Sequence, residues 1–395
     1  MRAVRAEENG RLMRVVLGGL GHGHLHVVAH ARQLVEAGAE VVLIDDGVFR
    51  YSSLAAGILG GQYSAEQGML DSGALAAVCG VRHIAATIDH VDPADRNVHL
   101  RDGDPLSYDV ISLNLGSTVI APFPVAEGAS VFHAKPLSQL TALRDALCAM
   151  IGARQTPRLI VVGGGHSGCE LAANAMALAR RHGAAIDVTL IAPEERILAD
   201  GPMAASETLS VILDRQGIAI RTGVACKSVG KTALALSDGS DLPFDHVILA
   251  TGLKPSSAAM LPGLGFNPAG GLCVGPTLQS VDDERVFAIG DCAHLVDDPR
   301  PNVGVFGVRA GSILTHNLLA SVKNGAMKSY EPQKHWFAAL NLGDGTGLGL
   351  WRGYHWHGRS ALFAKDWIDK RFMESYRRLY GRQPVRTAPG LVSPD

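Results

Sequence analysis

Arg14-Val15-Val16-Leu17-Gly18-Gly19-Leu20-Gly21-His22-Gly23-His24 runs a short apolar strand into a glycine-rich turn. Arg158-Leu159-Ile160-Val161-Val162-Gly163-Gly164-Gly165-His166-Ser167-Gly168 does the same later in the chain. Each turn opens a stretch that reads as a helix. Strand, glycine turn and helix together bind a dinucleotide. The first glycine permits the tight turn, the second lets backbone N–H groups approach a pyrophosphate, and the helix N-terminus sets its partial positive charge against that group. Two such turns predict two dinucleotide sites.

A duplicated unit should also end alike. Tyr108-Asp109-Val110-Ile111-Ser112-Leu113-Asn114-Leu115-Gly116 closes the first, and Phe244-Asp245-His246-Val247-Ile248-Leu249-Ala250-Thr251-Gly252 closes the second. Both are an aromatic-Asp pair, a buried strand and a glycine. The expected fold class is α/β, with two Rossmann-like dinucleotide-binding domains and an α-rich C-terminal region.

A chain of 395 residues exceeds what one hydrophobic core usually supports. Its 38 acidic and 36 basic residues leave a formal net charge of −2, which gives no broad attraction to nucleic acid. No apolar run reaches the length of a spanning helix. Met1–Met13 reads as a disordered leader or upstream-start extension, with no secretory signal before the first strand. The cysteines at 79, 148, 169, 226, 273 and 292 have no CxxC or CxxxxC spacing, which argues against a disulfide scaffold, a zinc site and a local redox disulfide. The expected setting is cytoplasmic and reducing.

The second strand, Glu40–Ile44, ends in Asp45-Asp46, and an acid at that tip is placed to bind ribose hydroxyls. Asp45 is the chosen residue; a solvated turn acid is the plainer alternative. In the second unit the strand Ile186–Ala192 ends in Pro193-Glu194-Glu195-Arg196. Glu194 or Glu195 would bind ribose hydroxyls and Arg196 would pair with a 2′-phosphate, so NADH and NADPH both stay open. A third landmark is Val286-Phe287-Ala288-Ile289-Gly290-Asp291, followed by a helix opening near Asn302–Gly311 and running through Ser321. A carboxylate at such a strand end can hold a flavin's ribityl or diphosphate region, and a helix N-terminus can stabilise the anionic reduced ring.

This combination resembles the two-dinucleotide flavoproteins of the pyridine nucleotide-disulfide oxidoreductase superfamily. The resemblance implies FAD at Gly19, Gly21, Asp45, Gly290 and Asp291, and NAD(P)H at Gly163, Gly165, Gly168 and Glu170. The implied units are 14–120 and 271–325 for FAD and 157–270 for NAD(P)H. A connector spans 121–156 and an aromatic, basic region spans 326–395. The stretches Gly21-His22-Gly23-His24, Tyr51-Ser52 through Ser64, His133-Ala134-Lys135-Pro136-Leu137 and Trp367-Ile368-Asp369-Lys370-Arg371-Phe372-Met373 are similar to a narrower group. It is the type II NADH dehydrogenase-like flavoprotein domain often fused ahead of selenophosphate synthetase. No synthetase follows here.

The resemblance implies hydride transfer from NAD(P)H to flavin and then to a quinone or other small acceptor. An oxidase or dehydrogenase of a small organic or sulfur/selenium substrate with a vestigial nicotinamide site, and a non-enzymatic flavin redox sensor or partner subunit, are the alternatives. Expected catalytic residues are His24, Tyr51, Glu170 and Arg309, with His24 beside FAD or donating a proton. Further cofactor contacts are expected from His22, Ser52, Lys135, Gly252, Gly304 and Val305. Core packing for Tyr51, a helix-dipole acid for Glu170 and a solvated connector lysine for Lys135 are the plainer readings. His22, His24 and His26 alternate, but helical geometry spreads residues two apart over different faces, so no metal site is expected.

All four tryptophans, 336, 351, 356 and 367, lie in the C-terminal region. From Leu362 to Tyr380 an apolar stripe of Leu362, Phe363, Trp367, Ile368, Phe372, Met373, Tyr376, Leu379 and Tyr380 is flanked by lysines and arginines. Such a helix packs over the flavin domain or a dimer partner, or lies peripherally on the inner face of a membrane.

Overall fold

The computed structural model describes residues 11–255 and 260–381. Most of the expected leader lies outside them. Arg11, however, pairs with Asp109 at 2.7 Å, and Met13 opens the first strand.

The first unit contains β1 (Met13–Gly18), α1 (His22–Ala29), β2 (Ala39–Asp45), β3 (Arg82–Ala85) and β4 (Val110–Leu113). The second contains β5 (Val131–His133), α2 (Leu137–Gly152), β6 (Arg158–Val162), α3 (His166–Arg181), β7 (Asp187–Ile191), β8 (Ala219–Arg221) and β9 (His246–Leu249). The chain then supplies β10 (Val286–Ala288) and α4 (Gly304–Lys323). It ends in β11 (Ala338–Asn341), β12 (Gly347–Trp351), β13 (Tyr354–Gly358) and α5 (Arg359–Tyr380).

Two parallel five-stranded sheets result, ordered β10-β4-β1-β2-β3 and β5-β9-β6-β7-β8. The central strands read as unbroken apolar runs because both faces are covered: Val15, Val16 and Leu17 are fully buried, as is Val161. The two aromatic-Asp pairs do matching work. Asp109 accepts from the Arg14 N–H at 2.6 Å and Asp245 from the Arg158 N–H at 2.8 Å, so each acid ties its closing strand to the start of its turn-bearing strand. Beyond each closing strand the chain leaves its sheet, and Ser117–Val119 pairs antiparallel with Leu253–Pro255 to join the two units.

The two units interlock. The first sheet takes its edge strand, β10, from beyond the second unit. The second sheet takes β5 from the stretch read as a connector. That stretch is therefore part of a sheet, and α2 buries Leu137, Leu140, Leu143 and Leu147 in the main core.

The C-terminal region is not only helical. An antiparallel sheet, β11-β12-β13, precedes α5. The expected stripe on α5 is also corrected: Ala361, Leu362, Lys365, Asp369 and Met373 are buried, whereas Phe363, Trp367, Ile368 and Leu379 are exposed. The buried face includes two charges because partners await them; Phe372, Tyr376 and Tyr380 pack half-buried against the core, and Phe363 and Trp367 stay outside.

Candidate active site

The first turn is built around Asn114, the residue after β4. Its side-chain carbonyl accepts from the N–H groups of Gly23 (3.0 Å) and His24 (3.2 Å), and its amide donates to Ile289 O at 2.8 Å. Two helix-end donors are thereby satisfied from a neighbouring strand. Among the described residues, the N–H groups of Gly21 and His22 have no backbone partner, and they open the helix where an anion would sit. α4 packs closely on α1; a Cβ at Gly311 would lie 2.9 Å from Gly23 O. The two helix N-termini thus stand together, with the His22 ring 3.6 Å from where a Cβ of Gly304 would be. Val305 is the half-buried second residue of α4.

Beside them Asp291 follows Gly290. Its carboxylate accepts from Ser117 Oγ at 2.6 Å and pairs with Lys135 Nζ at 2.9 Å. Burial pushes this carboxyl up, but the Lys135 charge and the hydrogen bonds more than offset that and hold it below its ordinary range. Converging helix ends, a fixed acid and a lysine fit a flavin dinucleotide. Gly19, Gly21, Gly290, Gly304, Asp291 and Lys135 are the residues that would hold it.

Four of the expected residues have the following surroundings. His24 is fully buried, with Nδ1 2.6 Å from Gly19 O and Nε2 2.8 Å from Ser112 Oγ. Burial lowers its pKa to about 4, and the ring braces the turn through both nitrogens. Arg309 lies exposed in the second turn of α4, and its charge acts on Tyr330. Ser52 is exposed, and its neighbour Ser53 makes the inward contacts. Asp45 does reach the strand tip, but its carboxylate oxygens already bind Ser72 Oγ (2.6 Å), His83 Nε2 (2.6 Å) and the Gly47 N–H (3.0 Å).

The second turn has no counterpart to the Asn114 cap, because Ala250 occupies that position. A Cβ at Gly163 would lie 2.3 Å from Ala250 O and one at Gly168 1.8 Å from Gly163 O, so both must be glycine for the helix to start so near the strand. A Cβ at Gly165 would meet nothing within 4 Å, which leaves clear room for a diphosphate at that amide. Gly252, at φ +111°, lies in the turn that follows β9.

Glu170, two residues past Gly168, points toward the C-terminal helix instead of being a solvated helix-start acid. Its carboxylate accepts from the Asn341 N–H at 2.8 Å. Burial raises its pKa, against the opposing influence of Lys365. Lys365 Nζ contacts Asp369 at 2.8 Å, Ser53 Oγ at 2.9 Å and Ser53 O at 2.6 Å. Asp369 also accepts from Tyr51 Oη at 2.8 Å and Ser53 Oγ at 2.9 Å. Burial alone would lower the Lys365 ammonium, but Glu170 and then Asp369 hold it above its usual range. Tyr51, stacked on Phe372 at 4.8 Å and 5.5 Å from the His22 ring, links this cluster to the first turn. Burial raises its phenol, reinforced by the Asp369 charge. Sequence reading missed Lys365, Asp369, Ser53 and Asn114. The available signal for the first two was a pair of charges four apart, on one face of an aromatic helix.

The description "pyridine nucleotide-disulphide oxidoreductase" belongs to a family whose pattern matches residues 13–317. The chain belongs to that family. It is an FAD-dependent NAD(P)H oxidoreductase, with both cofactors the family's own. Ferroptosis suppressor protein 1 of Taeniopygia guttata is 27% identical over 278 residues, covering 67% of this chain and 70% of that protein. Putidaredoxin reductase of Pseudomonas putida is 32% identical over 207 residues, 50% of this chain and 47% of that one. In fold, the chain resembles the sulfide:quinone oxidoreductase of Aquifex aeolicus, with a TM-score of 0.79 at 16% identity over 93% of this chain and 92% of that one. It also resembles NDH2 of Plasmodium falciparum, with a TM-score of 0.77 at 13% identity over 95% and 100%. None of the six cysteines forms a disulfide, and Cys169 and Cys292 are buried thiols pushed up to about 12 and about 11 by that burial. No helix among the described residues is long and apolar enough to cross a membrane.

Proposed function

We propose that this oxidoreductase takes hydride from NAD(P)H and delivers the electrons to a quinone. The observation that carries the choice of acceptor is the buried cluster of Tyr51, Ser53, Glu170, Lys365 and Asp369. A quinone takes up two protons with two electrons, whereas an iron–sulfur carrier takes electrons alone. Titratable groups held beside the redox centre serve the first chemistry and not the second.

A bound FAD would supply the two-electron chemistry that links the nicotinamide's hydride to the quinone. The protein's part is positioning, charge and protons. Gly165 and the start of α3 would seat the nicotinamide nucleotide, and Asp291 and Lys135 would fix the flavin's sugar-like chain. The N-terminus of α4 would favour negative charge on the reduced ring. Glu170, with its pKa raised by burial, is suited to lend a proton, and Lys365 keeps it and Asp369 in a compensated cluster. The exposed Tyr354, Phe363 and Trp367, with Arg371 5.4 Å above the Trp367 ring, suit a lipid surface from which a quinone is drawn.

Anaerobic stopped-flow mixing tests the reading. NADH or NADPH should bleach the flavin rapidly in the wild type and in Glu170→Gln and Asp369→Asn. Reoxidation by a soluble quinone should slow about tenfold or more in the variants, a range typical of lost acid–base assistance. Ferricyanide, which takes no proton, should reoxidise all three alike. No bleaching by either nucleotide, or equal slowing with both oxidants, would overturn the proposal.

A further inference from the structure

The loop after β7 lies against the second glycine turn. Residues 193–201 fold back on that turn, and the Leu198 N–H donates to Gly164 O at 2.7 Å. Ile197 is fully buried beneath the loop, and Ser206 Oγ donates to its carbonyl at 2.7 Å. Arg196 closes the shape. Its guanidinium donates to the carbonyls of Leu198 (3.1 Å), Ala199 (2.5 Å) and Gly201 (2.9 Å), so the charged fork is turned onto the loop itself.

The strand tip carries Ala192, packed against Gly164, and no acid. Around it the side chains are mostly negative. Glu194 and Glu195 are exposed, and the Glu195 carboxylate lies 3.5 Å from where a Cβ of Gly223 would stand. Asp200 is exposed and acts electrostatically on His166, the first residue of α3. Burial lowers the His166 pKa, with Asp200 opposing, so this ring adds little positive charge near neutral pH. The next cation, Arg221, is paired with Asp238 at 2.6 Å.

We infer that the second site selects NADH over NADPH, with Arg196 as the positioning residue that shapes the loop and Glu194, Glu195 and Asp200 repelling a 2′-phosphate. A 2′-phosphate dianion needs a cation with its donors free, and the guanidinium best placed by sequence is committed to backbone carbonyls. The inference rests on the second turn's role in nucleotide binding. It is independent of the acceptor.

Isothermal titration of the FAD-loaded protein with NAD⁺ and NADP⁺ reads binding without turnover. NAD⁺ should bind about tenfold tighter or more, the ratio that one well-placed charge interaction commonly sets. The double variant Glu194→Gln/Glu195→Gln should shrink that ratio several-fold. Arg196→Gln, with Arg196→Lys as the milder change, should weaken both nucleotides in parallel and leave the ratio in place. Equal or tighter NADP⁺ binding, or a selective loss of NADP⁺ on changing Arg196, overturns the inference alone. If neither nucleotide binds, the nucleotide role of the second turn falls with it.

Discussion

Asn114 is the side chain that distinguishes the first glycine turn from the second, where Ala250 stands in its place. It holds two amides of α1 and a carbonyl beyond β10, so it joins three pieces of the first unit at once. Asn114→Ala should cost about 2 kcal/mol from buried groups left unpaired. Thermal unfolding should show that loss, and the ratio of flavin to protein absorbance should fall. His24 makes a second prediction. Its ring is neutral in the fold, with a pKa of about 4 against 6.5 in the unfolded chain, so the unfolded state binds the extra proton between those values. Stability is then full above about pH 6.5 and declines as the pH falls toward 4. Acid titration of unfolding in His24→Gln should show a shallower decline over that window. Both residues sit in segments the sequence marks clearly, yet their partners, Ile289 and Ser112, lie far off in the chain. Residue type alone therefore did not show that His24 braces the turn.

At the scale of elements, strand, glycine turn and helix were legible because each depends on neighbouring residues. The period of apolar residues marks the strand, and glycine spacing marks the turn. The second turn separates two uses of glycine that look alike in sequence. Gly168→Ala would drive a Cβ to 1.8 Å from Gly163 O, so calorimetry should show a clearly lowered Tm and nucleotide titration a loss of binding. Gly165→Ala meets no protein atom within 4 Å, so its Tm should stay near wild type while nucleotide affinity falls. Equal effects of the two changes would rule out Gly165 as the amide that faces a diphosphate. The edge strand β5 was not legible. It is three residues long, lies in a proline-flanked stretch and becomes a strand only because β9 offers it an open edge.

Across the whole molecule, the cluster of Lys365, Asp369, Tyr51, Ser53 and Glu170 joins the first unit, the second unit and the C-terminal helix. Lys365→Met would leave buried carboxylates uncompensated, a change that typically costs about 3–5 kcal/mol. Chemical denaturation should record that loss, and Lys365→Met/Asp369→Leu should recover part of it. The exposed face of α5 makes a separate prediction. Phe363→Ser/Trp367→Ser should fold normally, since both side chains are already largely exposed, and should lose flotation with vesicles containing anionic lipid. Unchanged flotation would remove the lipid surface from the proposed function. The sequence by itself determined the two dinucleotide folds, their order and their boundaries at the glycine turns, because those features are set by short-range periodicity and backbone freedom. Only the tertiary structure decided that the two sheets exchange edge strands, that Phe363 and Trp367 of α5 face outward and that Lys365 and Asp369 face inward. Burying a charge is favourable only where an opposite charge or hydrogen-bond partner waits; Lys365 and Asp369 pair with each other on one helix, and the Tyr51 and Ser53 groups that complete the cluster come from more than three hundred positions away.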